Sequence, residues 1–190
     1  MHTTLLALVL SLLSSGVSSE NHPAAETYEI DGGHSSVIFR VIHLGVAPFY
    51  GRFNDVSGTF TLDGEKSKVE VTIKSASIDT ASERRDGHLK SPDFFNARQF
   101  PVVKFTSTKV EPGEKGAWKV TGNLELHGQK KPVTIELKEI GRGDTAQGYK
   151  IGFDGRFEFK RSDFDMKYLV EEGGLGDEIQ VILGIEAKRQ

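Results

Sequence analysis

From Tyr28 onward, apolar and polar residues alternate with a period of two over most of the chain. In a run over 35–43, Val37, Phe39, Val41 and His43 share one face, and Ser36, Ile38, Arg40 and Ile42 the other. Val69, Val71 and Ile73 alternate with Glu70 and Thr72, and Val133, Ile135 and Leu137 with Thr134 and Glu136. Trp118, Val120, Leu124 and Leu126 alternate with Lys119, Thr121, Asn123 and Glu125. The cleanest run sets Tyr149, Ile151, Phe153, Phe157 and Phe159 against Lys150, Asp154, Arg156 and Glu158. A final run carries Ile179, Val181, Leu183 and Ile185. Such alternation marks half-buried antiparallel strands.

Turn chemistry separates the runs at Asp63-Gly64, Pro112-Gly113, His127-Gly128 and Gly141–Gly143. About eight strands are predicted, over 35–43, 52–62, 68–76, 102–110, 117–126, 131–140, 148–160 and 178–188, with a short ninth near 28–30. Two segments break the rhythm. Ser91-Pro92-Asp93 reads as N-cap, Pro at the first helical position and an acid in the first turn, which predicts a short helix over 92–97 after a polar loop. The other, 163–177, is Gly-rich at its end and reads as a long loop.

The strands, one apolar face and little helix fit an all-β domain, either a sandwich or a closed up-and-down barrel. Several strands exceed the usual five or six residues. Long twisted strands favour closure, which removes exposed edges. An eight-stranded barrel is wide enough to be filled by side chains or to hold one small ligand.

Composition narrows the function. The 190 residues suit a single domain, here 28–190. A net charge of −3 offers no basic field for nucleic acid. Cysteine is absent, so disulfides and thiolate zinc sites are excluded. Phe outnumbers Tyr and Trp, 12 against 4 and 1, a bias toward apolar area without a polar handle.

Leu5–Leu13 is a nine-residue apolar run followed by small residues, with Val17-Ser18-Ser19 at a cleavage-type position. This is the layout of a signal peptide over 1–19, too short to span a bilayer. It departs from the pattern in having no Lys or Arg before Arg40. Removal would leave a leader at 20–27 and place the domain in the periplasm or outside the cell.

IDGGHSSVIFRVIH (30–43), GRFNDVSGTFTLD (51–63), SIDT (77–80), RDGHLKSPDFFN (85–96), FPVVKFTS (100–107), GNLELHGQKKPV (122–133) and GDEIQVILGIEA (176–187) resemble the YceI-like proteins. The resemblance covers about 28–188. Gly32 stands where that family usually has proline, and Asp165 where glycine usually follows Asp163-Phe164. The resemblance implies a lipocalin-like extended barrel in the periplasm whose lumen takes a long apolar chain. Polyisoprenoids, isoprenoid quinones and fatty-acid derivatives such as amides are all of the implied class, as bound ligand rather than cofactor.

On the residue pattern alone, the inward Phe face describes a packed core as well as a cavity; the resemblance favours a lumen. Its wall is then expected to include Phe39, Val41, Phe53, Phe60 and Ile73 from the first strands. Phe105, Leu124, Phe153, Phe157 and Phe159 come from the later ones, and Phe94 and Phe95 from the predicted helix. His43, with inward parity at a strand end, and the polar loop residues Arg84, Arg85 and His88 are candidates for contact with a ligand head group. They also fit a solvated loop. None of the histidines, His34 and His127 included, shows metal-ligand spacing, so no metal is expected. There is no GxSxG, P-loop or cysteine, and the chain reads as a carrier or sequestering protein rather than an enzyme. A lipid-modifying enzyme using the same lumen and a stress-related structural module with a packed barrel are the alternatives. Transient contact with a membrane or membrane protein, and a homodimer, are compatible with the sequence.

Overall fold

The computed structural model describes residues 25–190. The predicted signal segment and leader residues 20–24 lie outside the described residues. The chain runs through β1 (Glu26–Ile30), β2 (Ser36–His43), β3 (Ala47–Phe53), β4 (Val56–Leu62), β5 (Lys68–Lys74), β6 (Ile78–Asp79) and α1 (Glu83–Leu89). It continues through β7 (Val102–Pro112), β8 (Ala117–Leu126), β9 (Gln129–Thr145), β10 (Gly148–Lys160) and β11 (Glu178–Arg189).

These strands make a closed antiparallel barrel. β11 pairs with β1 at Ala187–Arg189 and with β2 at Gln180–Gly184. So β1 and β2 are two halves of one barrel strand, interrupted at Asp31–Ser35. β3 and β4 are likewise halves of a second, pairing with β2 and β1, and β5 and β6 of a third, pairing with β4 and β3. With each broken strand counted once, eight strands follow one another up and down around the ring. Every barrel strand thereby has a neighbour on each side over at least part of its length.

Three expectations are corrected. The turn predicted at Gly141–Gly143 lies inside β9, which runs on to Thr145 and turns at 146–147. The strand predicted over 52–62 is a piece of a longer one that starts at Ala47, after a hairpin at Leu44–Val46. Pro48 and Gly51 hid it. Pro48 is tolerated because β6 pairs only with Arg52 and Phe53, which leaves the outer edge of residues 47–51 free. The helix lies at Glu83–Leu89, not over 92–97, so the predicted polar loop is the helical segment. Residues 91–99 fold as successive turns instead. The amides of Phe94 and Asn96 both bond Ser91 O, Phe95 N bonds Leu89 O, and Ala97 N bonds Lys90 O. Asn96, at φ +43°, turns the chain back along the helix end rather than continuing it.

One end of the barrel is plugged. The Tyr28 ring is fully buried and stacks on Phe60 at 5.0 Å, and Phe60 meets Phe153 edge-on. Burying each such ring contributes about 1.5–3 kcal/mol. Outside them sits a polar cap: Tyr28 Oη donates to Glu26 Oε2 at 2.7 Å, and Arg142 pairs with Glu139 at 2.6 Å. At the opposite end, the β2–β3 hairpin, α1 and the 161–177 connection converge. The hairpin is tied to that connection by Leu44 N to Gly174 O (3.1 Å) and Gly176 N to Ile42 O (2.8 Å).

Candidate functional site

Between plug and open end lies an interior cavity of about 560 Å³, within the range of small-molecule sites. All twelve residues assigned to the wall from sequence line it, from Phe39 on β2 to Phe159 on β10. Several of them point inward without being buried. Phe39, Ile73, Phe157 and Phe159 are only half-buried, although their neighbours Arg40, Thr72, Arg156 and Glu158 face outward. An inward side chain that still has accessible surface faces an internal space, not packed atoms. By contrast Phe164, from a 3-10 turn at Arg161–Phe164, is 1% exposed and packs with Val103, Leu124, Leu126 and Met166.

Gly155 sets how one wall residue lies. The Leu137 side chain lies over it, where a Cβ would come within 2.3 Å of Leu137 Cδ2. Phe153, Gly155 and Phe157 share an inward face, so the place between the two rings is taken by Leu137 from the neighbouring strand.

The mouth is defined by six wall residues that are also exposed: His43 and Leu44 of the hairpin, Arg85 and His88 of α1, and Tyr168 and Leu169 of the connection. Of the head-group candidates, His43, Arg85 and His88 therefore reach the cavity. Arg84 is exposed on α1 and does not line it. Helical geometry explains the split, because Arg84 and Arg85 project about 100° apart.

Arg85 is fixed in place. Its Nε donates to Thr80 Oγ1 at 2.8 Å, its Nη2 to Thr80 O at 2.6 Å, and its guanidinium lies 4.4 Å from the Phe49 ring centroid. Thr80 Oγ1 in turn donates to Asp86. His88 Nε2 is 2.9 Å from Asp93 Oδ2, and its ring meets Phe94 and Tyr168 edge-on.

Arg161 was not foreseen. It is 3% exposed, lines the cavity, and donates to four backbone carbonyls: Nε to Gly176, Nη1 to Met166, and Nη2 to Tyr168 and Leu175, each at 2.8 Å. Burial lowers its pKa, yet a guanidinium stays charged at any working pH. The 161–177 connection is wound around this one cation. A signal was available: Arg161 continues the parity of Phe157 and Phe159, a charge on an otherwise apolar face.

The ionisable side chains on the wall are His43, Arg85, His88, Arg161 and the Tyr168 phenol. Among the described residues, no carboxylate, serine or threonine lines it. Asp31, His34 and Glu186 form a cluster of metal-ligand type elsewhere, at the break between β1 and β2. The Lys150 ammonium already serves those carboxylates, at 2.5 Å from Glu186 and 3.6 Å from Asp31.

The two positions at which the sequence departs from its resemblance have local reasons. Asp165 has φ +59°, a left-handed conformation that suits glycine and that Asp also tolerates. Its carboxylate accepts from Gln129 Nε2 at 2.7 Å. At Gly32, a Cβ would stand 2.4 Å from Val56 O, so the local turn has closed around the missing side chain.

A model of the YceI-like domain family matches residues 28–187. Protein YceI of Escherichia coli O157:H7 is 39% identical over 196 residues, spanning both chains in full. A UPF0312 protein of Pseudomonas aeruginosa is 42% identical over 193 residues, 98% of each chain. Among solved structures, a YCEI protein of Campylobacter jejuni superposes with a TM-score of 0.70 at 32% identity, over 78% of this chain and 89% of that one. A polyisoprenoid binding domain from Saccharophagus degradans superposes with a TM-score of 0.66 at 15% identity, over 86% of this chain and 98% of that one, and shares the fold.

Proposed function

We propose, from the premise that this chain belongs to the YceI-like domain family, that it binds one long apolar molecule in the barrel lumen and carries or sequesters it. The carrying observation is the interior cavity of about 560 Å³ whose wall is apolar except at its mouth and at Arg161, whose donors are taken by backbone carbonyls. A tail enters such a space without leaving any buried polar group unpaired. The ionisable groups of the mouth that line the cavity are His43, Arg85, His88 and Tyr168, none of them a carboxylate, which suits an acceptor-bearing or anionic head. The polyisoprenoid-binding neighbour supports a ligand of isoprenoid type; a quinone or a fatty-acid derivative satisfies the same wall.

The wall favours binding over catalysis. Among the described residues it offers no serine or threonine hydroxyl, and the Asp93 carboxylate that pairs with His88 does not line the cavity. We place the protein in the periplasm or outside the cell, on the signal-like segment Leu5–Leu13 and Val17-Ser18-Ser19.

Energetics define the role. At about 0.8 kcal/mol per CH₂, a long tail taken from water would exceed the ceiling of about 20 kcal/mol for non-covalent binding. A tail taken from a bilayer is already in hydrocarbon, so the lumen need only match the membrane. That makes exchange reversible and suits a shuttle. The test is mass spectrometry of an organic extract of protein purified from its native host. The reading expects a long-chain apolar species near one per chain; extracts no different from those of an unrelated periplasmic protein would refute it.

A further inference from the structure

We infer that the mouth docks directly onto a lipid bilayer, inserting the β2–β3 hairpin tip and the apolar part of the 161–177 connection. The inference rests on the lumen reading above and adds where the ligand crosses.

Large apolar side chains are exposed at six positions among the described residues: Leu44, Val46, Tyr50, Ile140, Tyr168 and Leu169. All but Ile140 belong to the hairpin strands and the connection that frame the mouth. Val46 is 85% exposed and Leu44 61%, at the tip of a two-strand projection. Single exposed apolar residues need no explanation, but their concentration on one end of the molecule does.

The occupant follows from continuity. Leu44, Tyr168 and Leu169 belong both to the cavity wall and to the outer surface. Apolar surface therefore runs from the lumen onto the outside without a polar rim at these residues. Each methylene drawn through water would weaken transfer about fourfold, so this path works only where the outer part meets hydrocarbon. Tyr50 and Tyr168 are of the side-chain type that settles at the membrane interface. Arg85, His88 and His43 then lie at the mouth, near the level of lipid phosphates. Exposed charges on α1 and the connection are of both signs with acids in excess, Arg84, Arg85 and Lys167 against Glu83, Asp163, Asp165, Glu171 and Glu172. That excess gives no attraction to anionic lipid and makes apolar insertion, not charge, the main attraction.

Flotation with pure phosphatidylcholine vesicles tests this. Wild type should float with the vesicles to a similar extent at low and high salt. The double variant Leu44→Asp/Val46→Asp should bind at least about tenfold more weakly, while Ile140→Asp should float as wild type does. Leu44 sits at φ +53°, which Asp tolerates, and both hairpin positions face solvent. Val46→Asp alone is the fallback should the double variant melt early, and it should show the same direction. Docking is overturned if wild type stays with the lipid-free fraction, including the case where it binds only membranes that contain protein. It is equally overturned if the hairpin variants float as wild type does, or if Ile140→Asp loses as much binding. Lipid extracted from the same samples reads the lumen separately. Bound lipid without flotation sinks the docking alone, and hairpin-dependent flotation without bound lipid sinks the lumen reading alone.

Discussion

The Phe39 ring lies across Gly51, its partner on the neighbouring strand, so closely that a Cβ there would stand 2.2 Å from Phe39 Cζ. The glycine lets the ring lie along the wall instead of standing into the lumen. Gly51→Ala should push it inward at a cost of about 1–3 kcal/mol, the usual penalty of overpacking. The denaturant midpoint should fall and bound lipid should decrease together. Unchanged stability would mean the wall shifts freely at this point.

Two phenylalanines in one barrel should respond differently to truncation. Phe164 is 1% exposed in packed surroundings, and Phe164→Ala should cost about 3–5 kcal/mol. Phe157 faces the cavity and is half-buried, so Phe157→Ala in delipidated protein should cost clearly less. Glu158, exposed on the other face, should change stability by under about 0.5 kcal/mol as alanine. Equal losses at Phe157 and Phe164, measured by urea unfolding, would describe a solid core.

This difference is also where the sequence stopped being informative. Alternation placed Phe157 on the inner face and Glu158 on the outer, because strand geometry dictates it. The pattern is the same whether the space opposite Phe157 is full or empty, so the cavity itself could not be read. The breaks at Asp31–Ser35, Asn54-Asp55 and Ser75–Ser77 were only partly visible, since they are set by pairing with strands far along the chain. The helix was misplaced because Ser91-Pro92-Asp93 is sound start chemistry, whereas 83–89 carries Gly87 and no apolar period. That segment is held by bonds to the turn just before it: Arg85 Nη2 donates to Thr80 O, and Thr80 N donates to the Asp86 carboxylate. The mouth was half legible: His43, Arg85 and His88 reach it, Arg84 does not, and Arg161 showed itself only as a charge with inward parity.

Arg161 should act as the post around which the connection is wound. Arg161→Met leaves the carbonyls of Met166, Tyr168, Leu175 and Gly176 without their donor. A loss of about 2–4 kcal/mol is expected, with faster hydrogen exchange across 166–176. Arg161→Lys should recover little, because an ammonium cannot reproduce the planar fork. Full recovery by lysine would show that charge, not geometry, holds the segment.

The plugged end should respond to alkali. Burial and the neighbouring Glu26 carboxylate raise the Tyr28 pKa from 10.0 to about 12. The folded state therefore keeps its phenolic proton where the unfolded chain loses it. Tyr28's contribution is whole below pH 10 and declines as pH rises from 10 toward 12, by up to about 3 kcal/mol. Against wild type, Tyr28→Phe should lose about 0.5–1.5 kcal/mol at neutral pH, from the bond to Glu26, and show a shallower fall above pH 10. Parallel stability curves over that window would contradict the assignment.

The central claim is that the lumen is an occupied ligand site, and native mass spectrometry of intact protein tests it most directly. Leu183 lines the middle of the cavity and is only half-buried, so Leu183→Trp should fill space without displacing packed neighbours. Wild type from its native host should carry one long-chain apolar molecule per chain, and Leu183→Trp, folded to the same far-ultraviolet spectrum, should carry little or none. Wild type at the bare polypeptide mass, or the same lipid load on Leu183→Trp, would contradict the account.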